Sequence, residues 1–273
     1  MSRVYPFAHH PCWAESRTEL WERVHLPVAK RCNIKCIFCD HRLGVSCHTP
    51  APGRAVRTME IDEAVEVVER LMRSRPRLRI AAVSGPGEPL YNDSTLSLFE
   101  ELRFRHPHLR FCLSTNGLLL DRFAASLARL GVETVTVSMH ALSSEVAERV
   151  YEWVRLDEHR MTERFGSLIV ERQLSGIREA VRHGMHVRVN TVFIPGLNDT
   201  EPVRLAEAIA KAGAELQNII PLVPMGAAAH IRPPTRTELR RARKEASKYV
   251  PQFTHCRQCR SDVVGIPGAD EPL

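Results

Sequence analysis

The chain has 273 residues, 44% of them hydrophobic, enough for one large core and for a single α/β barrel without a second domain. It holds no run of about 18 apolar residues, which excludes a membrane-spanning helix, and the opening MSRVYPFAHHPC lacks the apolar stretch of a signal peptide, so the cytoplasm is the expected compartment. The net charge of +6 comes from dispersed arginines rather than a basic stripe interleaved with aromatics, so no nucleic acid and no membrane surface is an expected partner.

From residue 22 onward, short β-type runs alternate with helical runs. Strands are predicted over 23–28, 79–84, 109–114, 133–139, 186–193 and 217–223. Between them, Ile61, Val65, Val68, Leu71 and Met72 mark one amphipathic helix. Leu96, Phe99 and Leu102 mark a second, and Phe123, Leu127 and Leu130 a third. Further helices are predicted over 143–153, 163–183, 201–212 and 235–249. The last of these carries Arg236, Arg240, Arg241, Arg243 and Lys244 as a solvated face. Gly131, Gly184 and Gly213 each follow a helical run where a left-handed C-cap is expected. Strand–helix alternation with short connections implies parallel strands and right-handed crossovers. The fold class is therefore α/β, a partial (β/α)6 TIM-like barrel spanning about 22–225 in a single domain of 1–273. Extensions 1–21 and 226–273 are expected to close it.

Side chains alternate across a strand, so parity says which residues face the lumen. In 133–140 the polar set Thr134, Thr136, Ser138 and His140 shares one face, and Val135, Val137 and Met139 share the face that helices must cover. Cys112 and Ser114 point inward together, and Arg188, Asn190 and Val192 share a face. A polar lumen reads as a binding cavity; hydrogen-bonded structural polar groups are the plainer alternative.

Eight cysteines call for a role, and in a reducing cytosol clustered cysteines are more often ligands or catalytic groups than disulfides. Cys32, Cys36 and Cys39 follow the first strand as C-x3-C-x2-C, at the strand end where barrels place their chemistry. Three thiolates leave one iron of a [4Fe–4S] cubane open. S-adenosylmethionine (SAM) can chelate that iron and be cleaved when the cluster is reduced, the signature of radical SAM chemistry. A zinc site favours paired spacings and four protein ligands. Gly85-Pro86-Gly87-Glu88, after the second strand, reads as the clamp on the SAM amino group, its glycines allowing close backbone approach and Glu88 accepting a hydrogen bond. Ser114, Thr115 and Asn116 offer partners at the same rim, with Ser138, Asn190 and Val192 on neighbouring strands; Asn190 suits the ribose or carboxylate. Cys256 and Cys259 form a C-x2-C pair that needs a further ligand, for which Cys12 is available. A redox dithiol or a partial zinc site is the alternative.

A resemblance covers essentially the whole chain. HHPCWAE at 9–15, RVHLPVAKRCNIKCIFC at 23–39, SGPGEPL at 84–90, FCLSTNG at 111–117 and VYEWVR at 150–155 carry it. So do VERQLSGI at 170–177, VNTVFIPGLND at 189–199, NIIPLVP at 218–224 and HCRQCRSDVVG at 255–265. Together they resemble the NifB family, radical SAM maturases of nitrogenase cofactor assembly, in a stand-alone form lacking a carrier-like C-terminal domain. The resemblance implies that two further [4Fe–4S] clusters are fused with a SAM-derived carbide into an 8Fe precursor. It assigns Cys12, Cys256 and Cys259 to one of these clusters, and Cys47 and Cys112, with His25, to the other. One SAM methylates a cluster sulfide and a second yields the 5′-deoxyadenosyl radical that takes hydrogen from that methyl. The implied classification is a lyase in nitrogen fixation. The implied partners are iron–sulfur cluster donors, cofactor carrier or scaffold proteins and an electron donor such as ferredoxin, with the chain itself a monomer.

Two departures stand out. The family usually follows the cysteine matching Cys47 with Glu and Ser-Arg-Pro-Gly, whereas Cys47 here leads into His48-Thr49-Pro50-Ala51-Pro52-Gly53-Arg54 with no carboxylate. His140 stands where the family often has Asn. The rival readings are a radical SAM enzyme whose auxiliary clusters serve a peptide or small-molecule reaction, and a zinc-stabilised nucleic-acid-binding protein. If His48 replaces the missing base, His48→Ala stalls cluster fusion after methyl transfer and Pro50→Glu partly rescues it. Equal carbide insertion by His48→Ala and the unaltered chain would make the loop a mere linker.

Overall fold

The computed structural model describes residues 5–39 and 52–273. Six parallel strands, β1 (Glu22–His25), β3 (Leu78–Val83), β4 (Arg110–Thr115), β5 (Val132–Ser138), β8 (His186–Phe193) and β9 (Leu216–Pro221), lie side by side in chain order. Helices α1 (Ile61–Ser74), α2 (Asp93–Arg105), α3 (Leu120–Arg129), α5 (Gly166–Arg182) and α6 (Glu201–Lys211) fill the crossovers. The sheet stays open, with β9 at one edge, as a partial barrel requires.

The helices form where the apolar spacing demanded them. On α1, buried Ala64, Val65 and Val68 repeat at helical spacing, with Asp62 and Glu63 in the first turn and Arg73 in the last, each complementing the helix dipole. Helix α7 (Arg236–Ala246) starts on a capping box between Thr235 and Glu238 and exposes Arg236, Arg240, Arg241 and Lys244. Gly131, Gly184 and Gly213 adopt φ of +80°, +80° and +95°, as C-caps do. Along β4, Phe111 and Leu113 are buried under the helices while Cys112 and Ser114 are half-buried on the lumen face.

Three elements differ from expectation. The helix predicted over 143–153 stops early: α4 covers Ser144–Val150, and Tyr151–Leu156 is a strand, β6. Its Tyr151, Val154 and Leu156 are buried, the last two alternating with half-buried neighbours, and the aromatic and β-branched content suits a pleated surface. With β7 (His159–Met161) it forms a hairpin that pairs antiparallel with β2 (Ile34–Cys36). The cysteine segment, expected as a loop, thus contains a strand of a second, three-stranded sheet. Near the C-terminus, β10 (Val263–Gly265) and β11 (Glu271–Pro272) extend the main sheet beyond β1, antiparallel to it. The lumen is also less open than its polarity implied: Thr134, Thr136, His140 and Arg188 are buried, and the N-terminal segment covers its floor. There, Arg110 lies 4.3 Å over the Tyr5 ring, and Trp21 stacks on both Tyr5 and His9.

Gly87 fixes the fit between the second parallel strand's exit and the cysteine segment. Its N–H donates to the Ala29 carbonyl at 2.8 Å, and a Cβ there would stand 2.3 Å from the Arg31 carbonyl oxygen. Gly87→Ala should destabilise the metal-free chain by about 1–3 kcal/mol in anaerobic denaturant unfolding, because the clash is with backbone. Unchanged stability would mean that the segment yields freely.

Candidate active site

The segment Cys32–Cys39 is held from four sides. Ile34 and Lys35 pair with Val154 and Trp153 of β6, and Arg155 N donates to the Asn33 carbonyl at 2.7 Å. Glu88 N donates to the Arg31 carbonyl at 2.9 Å, and the Asn116 side chain donates to Asn33 Oδ1 at 2.7 Å. After β9, Ala228 N donates to the Ile37 carbonyl at 2.9 Å, and Gly226 lies against Ile37 and Cys39, where a Cβ would meet the Ile37 oxygen at 2.7 Å. Phe38 meets His140 edge-on at 5.1 Å. Burial holds His140 neutral, its pKa lowered to about 3, and its Nδ1 accepts from Val192 N at 3.1 Å.

Burial pushes the Cys32 thiol up to about 12, with Glu88 and Cys39 adding to the rise. Burial, then Cys39 and Cys32, raises Cys36 well above the ordinary thiol range. Three thiols that oppose one another's ionisation lack a cation to share. Iron supplies it, releasing the protons on binding, so this donor set fits a cubane with one open iron. Among the described residues, no group of three His, Cys, Asp or Glu could hold a single metal ion. A cubane asks for a different arrangement, because each thiolate takes a separate iron.

The residues expected to bind SAM divide into two groups. Glu88, Thr115 and Asn116 form one internal network. Glu88 is 3% exposed; its Oε1 accepts from Thr115 Oγ1 and from Leu90 N at 3.1 Å, and its Oε2 accepts from Asn116 N at 2.6 Å. Thr115 therefore faces the helix side and serves Glu88 rather than the rim. Gly85 and Gly87 approach protein backbone and Ser261, a different reason for glycine than the one expected. A carboxylate accepts about four hydrogen bonds, so one position on Glu88 stays open. Ser114, Ser138 and Asn190 are half-buried on the lumen side, Asn190 Oδ1 accepting from Asn218 at 2.9 Å, while Val192 is buried. Sequence reading missed Gln173, a wholly buried α5 side chain that donates to the Asn116 and Ser138 carbonyls at 2.7 and 2.9 Å and ties two strand ends together. Only its place in VERQLSGI hinted at a role. A cavity of about 310 Å³ opens beside the segment, lined by Arg31, Asn33, Tyr91, Arg122 and Arg155 among others.

Of the remaining cysteines, Cys12 and Cys256 lie at the floor, by the start of β9. Cys12 and Cys256 pack against one small apolar group, Trp13, Leu216 and Phe253. Burial pushes the Cys259 thiol up to about 12; Arg23 pulls it down, and Cys12, Asp270 and Cys256 push it further up. Burial holds Cys112 at about 11, eased by Thr134. His25 Nδ1 lies 2.9 Å from the Arg260 carbonyl and 3.2 Å from Ser84 Oγ. Donation to that carbonyl leaves the lone pair on Nε2, the tautomer of a metal-bound imidazole. Cys47 and His48 lie outside the described residues. The chain re-enters beside Cys259, Gly53 N donating to its carbonyl at 3.0 Å.

An open parallel barrel with three such thiols at its mouth defines a radical SAM enzyme, and residues 26–209 match the family model of the Radical SAM superfamily. Such a domain carries a [4Fe–4S] cluster and uses SAM. A radical SAM methyltransferase from Sphaerobacter thermophilus superposes with a TM-score of 0.59 at 24% identity, over 85% of this chain and 65% of that one. A second methyltransferase, TsrM from Kitasatospora setae, gives 0.53 at 16%, over 77% and 38%. These likenesses concern the fold alone. The FeMo cofactor biosynthesis protein NifB of Methanocaldococcus jannaschii is 38% identical over 97% of this chain and 90% of its own length. The NifB of Klebsiella pneumoniae is 35% identical over 96% of this chain but 58% of its own length. The chain belongs to the NifB family of FeMo cofactor biosynthesis proteins.

Burial raises the Glu88 carboxyl from 4.5 to about 7, against the opposing hydrogen bonds from Thr115, Asn116 and Leu90. Between those values the folded chain holds a proton that the unfolded chain has lost, so stability falls as pH rises through this window and levels off above it. In metal-free protein, Glu88→Gln should flatten that fall in melting temperature. An identical slope in both proteins would assign the titration elsewhere.

Proposed function

We propose that this chain fuses two [4Fe–4S] clusters, its substrates, with a carbide derived from SAM, giving the 8Fe precursor of the nitrogenase cofactor. The observation that carries the reading is the meeting of Cys12 and Cys256, 244 positions apart, on one apolar group, with Cys259 in electrostatic reach of both. Distant cysteines drawn to one buried spot as thiols are what a shared cluster requires. His25, with Nε2 left as its lone-pair nitrogen, and Cys112, on the lumen face, suit the second substrate cluster, with Cys47 as the remaining ligand.

When bound at Cys32, Cys36 and Cys39, the resident cluster supplies the electron that breaks a C–S bond of SAM. The protein's part is orientation. Glu88 offers its remaining lone pair to the SAM ammonium in a site without bulk water, where that hydrogen bond is strong. Asn190, Ser138 and Ser114 present polar groups to the rest of the molecule. Gln173 fixes the two strand ends that carry Ser114 and Ser138. The neutral His140 braces Phe38 and with it the cysteine segment. Cluster donors, a carrier for the product and a reducing protein such as ferredoxin are the partners this chemistry needs. The arginines beside the cysteine segment suit an acidic reductant.

Anaerobic reconstitution should give about twelve irons, as three cubanes. Cys32→Ala, Cys36→Ala and Cys39→Ala combined should lose one cubane and all SAM cleavage. Cys12→Ala, Cys256→Ala and Cys259→Ala should each lose a similar share of iron and abolish methyl transfer from SAM. Full iron and activity in Cys12→Ala alone would break the shared-site assignment.

A further inference from the structure

Buried N–H groups without an acceptor are rare in folded proteins, because they give up water and gain nothing in return. Among the described residues, His10 Nε2, Arg23 Nε and Arg188 Nε are three such groups, on residues 1%, 0% and 6% exposed. They come from three different elements. His10 precedes Cys12 by two residues in the N-terminal segment. Arg23 shares a β1 face with His25, and Arg188 shares a β8 face with Asn190.

Other nitrogens of these side chains bind the two terminal segments, which fixes where the side chains lie. Arg23 Nη1 donates to the Gly265 carbonyl at 2.5 Å and Nη2 to Asp270 at 2.7 Å, which ties in the C-terminal hairpin. Arg188 Nη1 donates to the Cys12 carbonyl, which ties in the N-terminal segment. Cys12 N donates to His10 Nδ1 at 3.1 Å, so the His10 proton sits on Nε2 and this imidazole is a donor, not a ligand. What remains buried without an acceptor is the Nε–H of each arginine and the Nε2–H of His10. Burial dominates the Cys112 thiol and Thr134 lowers it, but Arg188 and Arg23 both act on it as well. Both arginines also act electrostatically on His25, and Cys259 and Cys12 act on Arg23.

His10 lies in electrostatic range of both arginines, so one acceptor common to the three would take N–H bonds from three elements and carry negative charge to balance two buried guanidiniums. Asp270, the carboxylate paired with Arg23 among the described residues, already accepts from it. A thiolate-ligated iron–sulfur cluster has both properties, with bridging sulfides on every face and a net negative charge. We propose that His10 Nε2, Arg23 Nε and Arg188 Nε form a donor cradle for the sulfides of a substrate iron–sulfur cluster held by the neighbouring cysteines. This rests on the reading of Cys12, Cys256, Cys259, His25 and Cys112 as ligands of substrate clusters.

The test is a redox titration, followed by electron paramagnetic resonance, of the reconstituted full-length chain and of Arg188→Lys, His10→Phe and His10→Gln. The SAM-responsive cluster serves as internal reference. Hydrogen bonds to sulfide raise a cluster's potential. The auxiliary signals should therefore move to more negative potential in Arg188→Lys and His10→Phe, and their iron should pass to a chelator roughly tenfold faster, the loss of one charge-assisted bond. His10→Gln, which carries an N–H of its own, should stay near the unaltered chain. If Arg188→Lys fails to fold, His10→Phe decides, since it leaves both arginine ties intact. Unmoved auxiliary potentials in a chain that loads three clusters would overturn the cradle alone. Uptake of only the SAM-responsive cluster by the unaltered chain would overturn the ligand reading, and the cradle with it.

Discussion

The structure depends on one constraint: eight residues bearing three thiols must hold their backbone still without a helix or a long strand of their own. Backbone N–H and C=O groups in a buried segment need partners, and Cys32–Cys39 takes them from outside. The exit of β3 presses against it through Gly87, the exit of β4 through Asn116, and the turn after β9 through Ala228. The crossover between β5 and β8 supplies a hairpin whose first strand pairs with it. Each loop at the barrel mouth thus has the same task, to supply what the cysteine segment lacks. The acidic side chain next to Gly87 follows the same logic. Glu88 receives donors from β4 and from its own turn, so the site's one buried carboxylate also locks two strand ends together.

Much of this was legible in the sequence. The six parallel strands follow from runs of β-branched residues bounded by glycine, and the lumen face of β4 follows from parity alone, which correctly set Cys112 and Ser114 apart from Phe111 and Leu113. The three cysteines needed only their spacing. The strand Tyr151–Leu156 was hidden because Val150 and Tyr151 continue the apolar spacing of α4. Nothing local marks the point where helix becomes strand; the partner that decides it, Ile34–Cys36, lies more than a hundred residues earlier. Thr115 was misplaced for a related reason. Its hydroxyl looks like a rim donor until Glu88, on another loop, is seen to take it. Gln173 was invisible because a glutamine in an amphipathic helix reads as solvated, whereas this one is wholly buried.

The floor and the mouth of the barrel differ in how their charge is arranged. At the mouth, burial holds the Cys32 and Cys36 thiols neutral and raises the Glu88 carboxyl. At the floor, the N-terminal segment brings Cys12 to two buried arginines, Arg23 and Arg188. A metal-free chain thus holds uncharged thiols at its mouth and already carries fixed positive charge at its floor.

The hairpin β10–β11 has a consequence beyond its ligands. A parallel sheet that begins at β1 would present an open row of N–H and C=O groups, the surface through which sheets of separate molecules join edge to edge. Val263–Gly265 covers that row, and the strand left outermost is two residues long and consists of Glu271 and Pro272, a charge and a residue unable to donate. A chain cut after Arg260 would keep every cysteine and still lose this cover, along with Asp270 as counter-ion to Arg23. Its failure would show as self-association in solution rather than as missing iron, because this short hairpin also keeps one copy of the chain from templating the next.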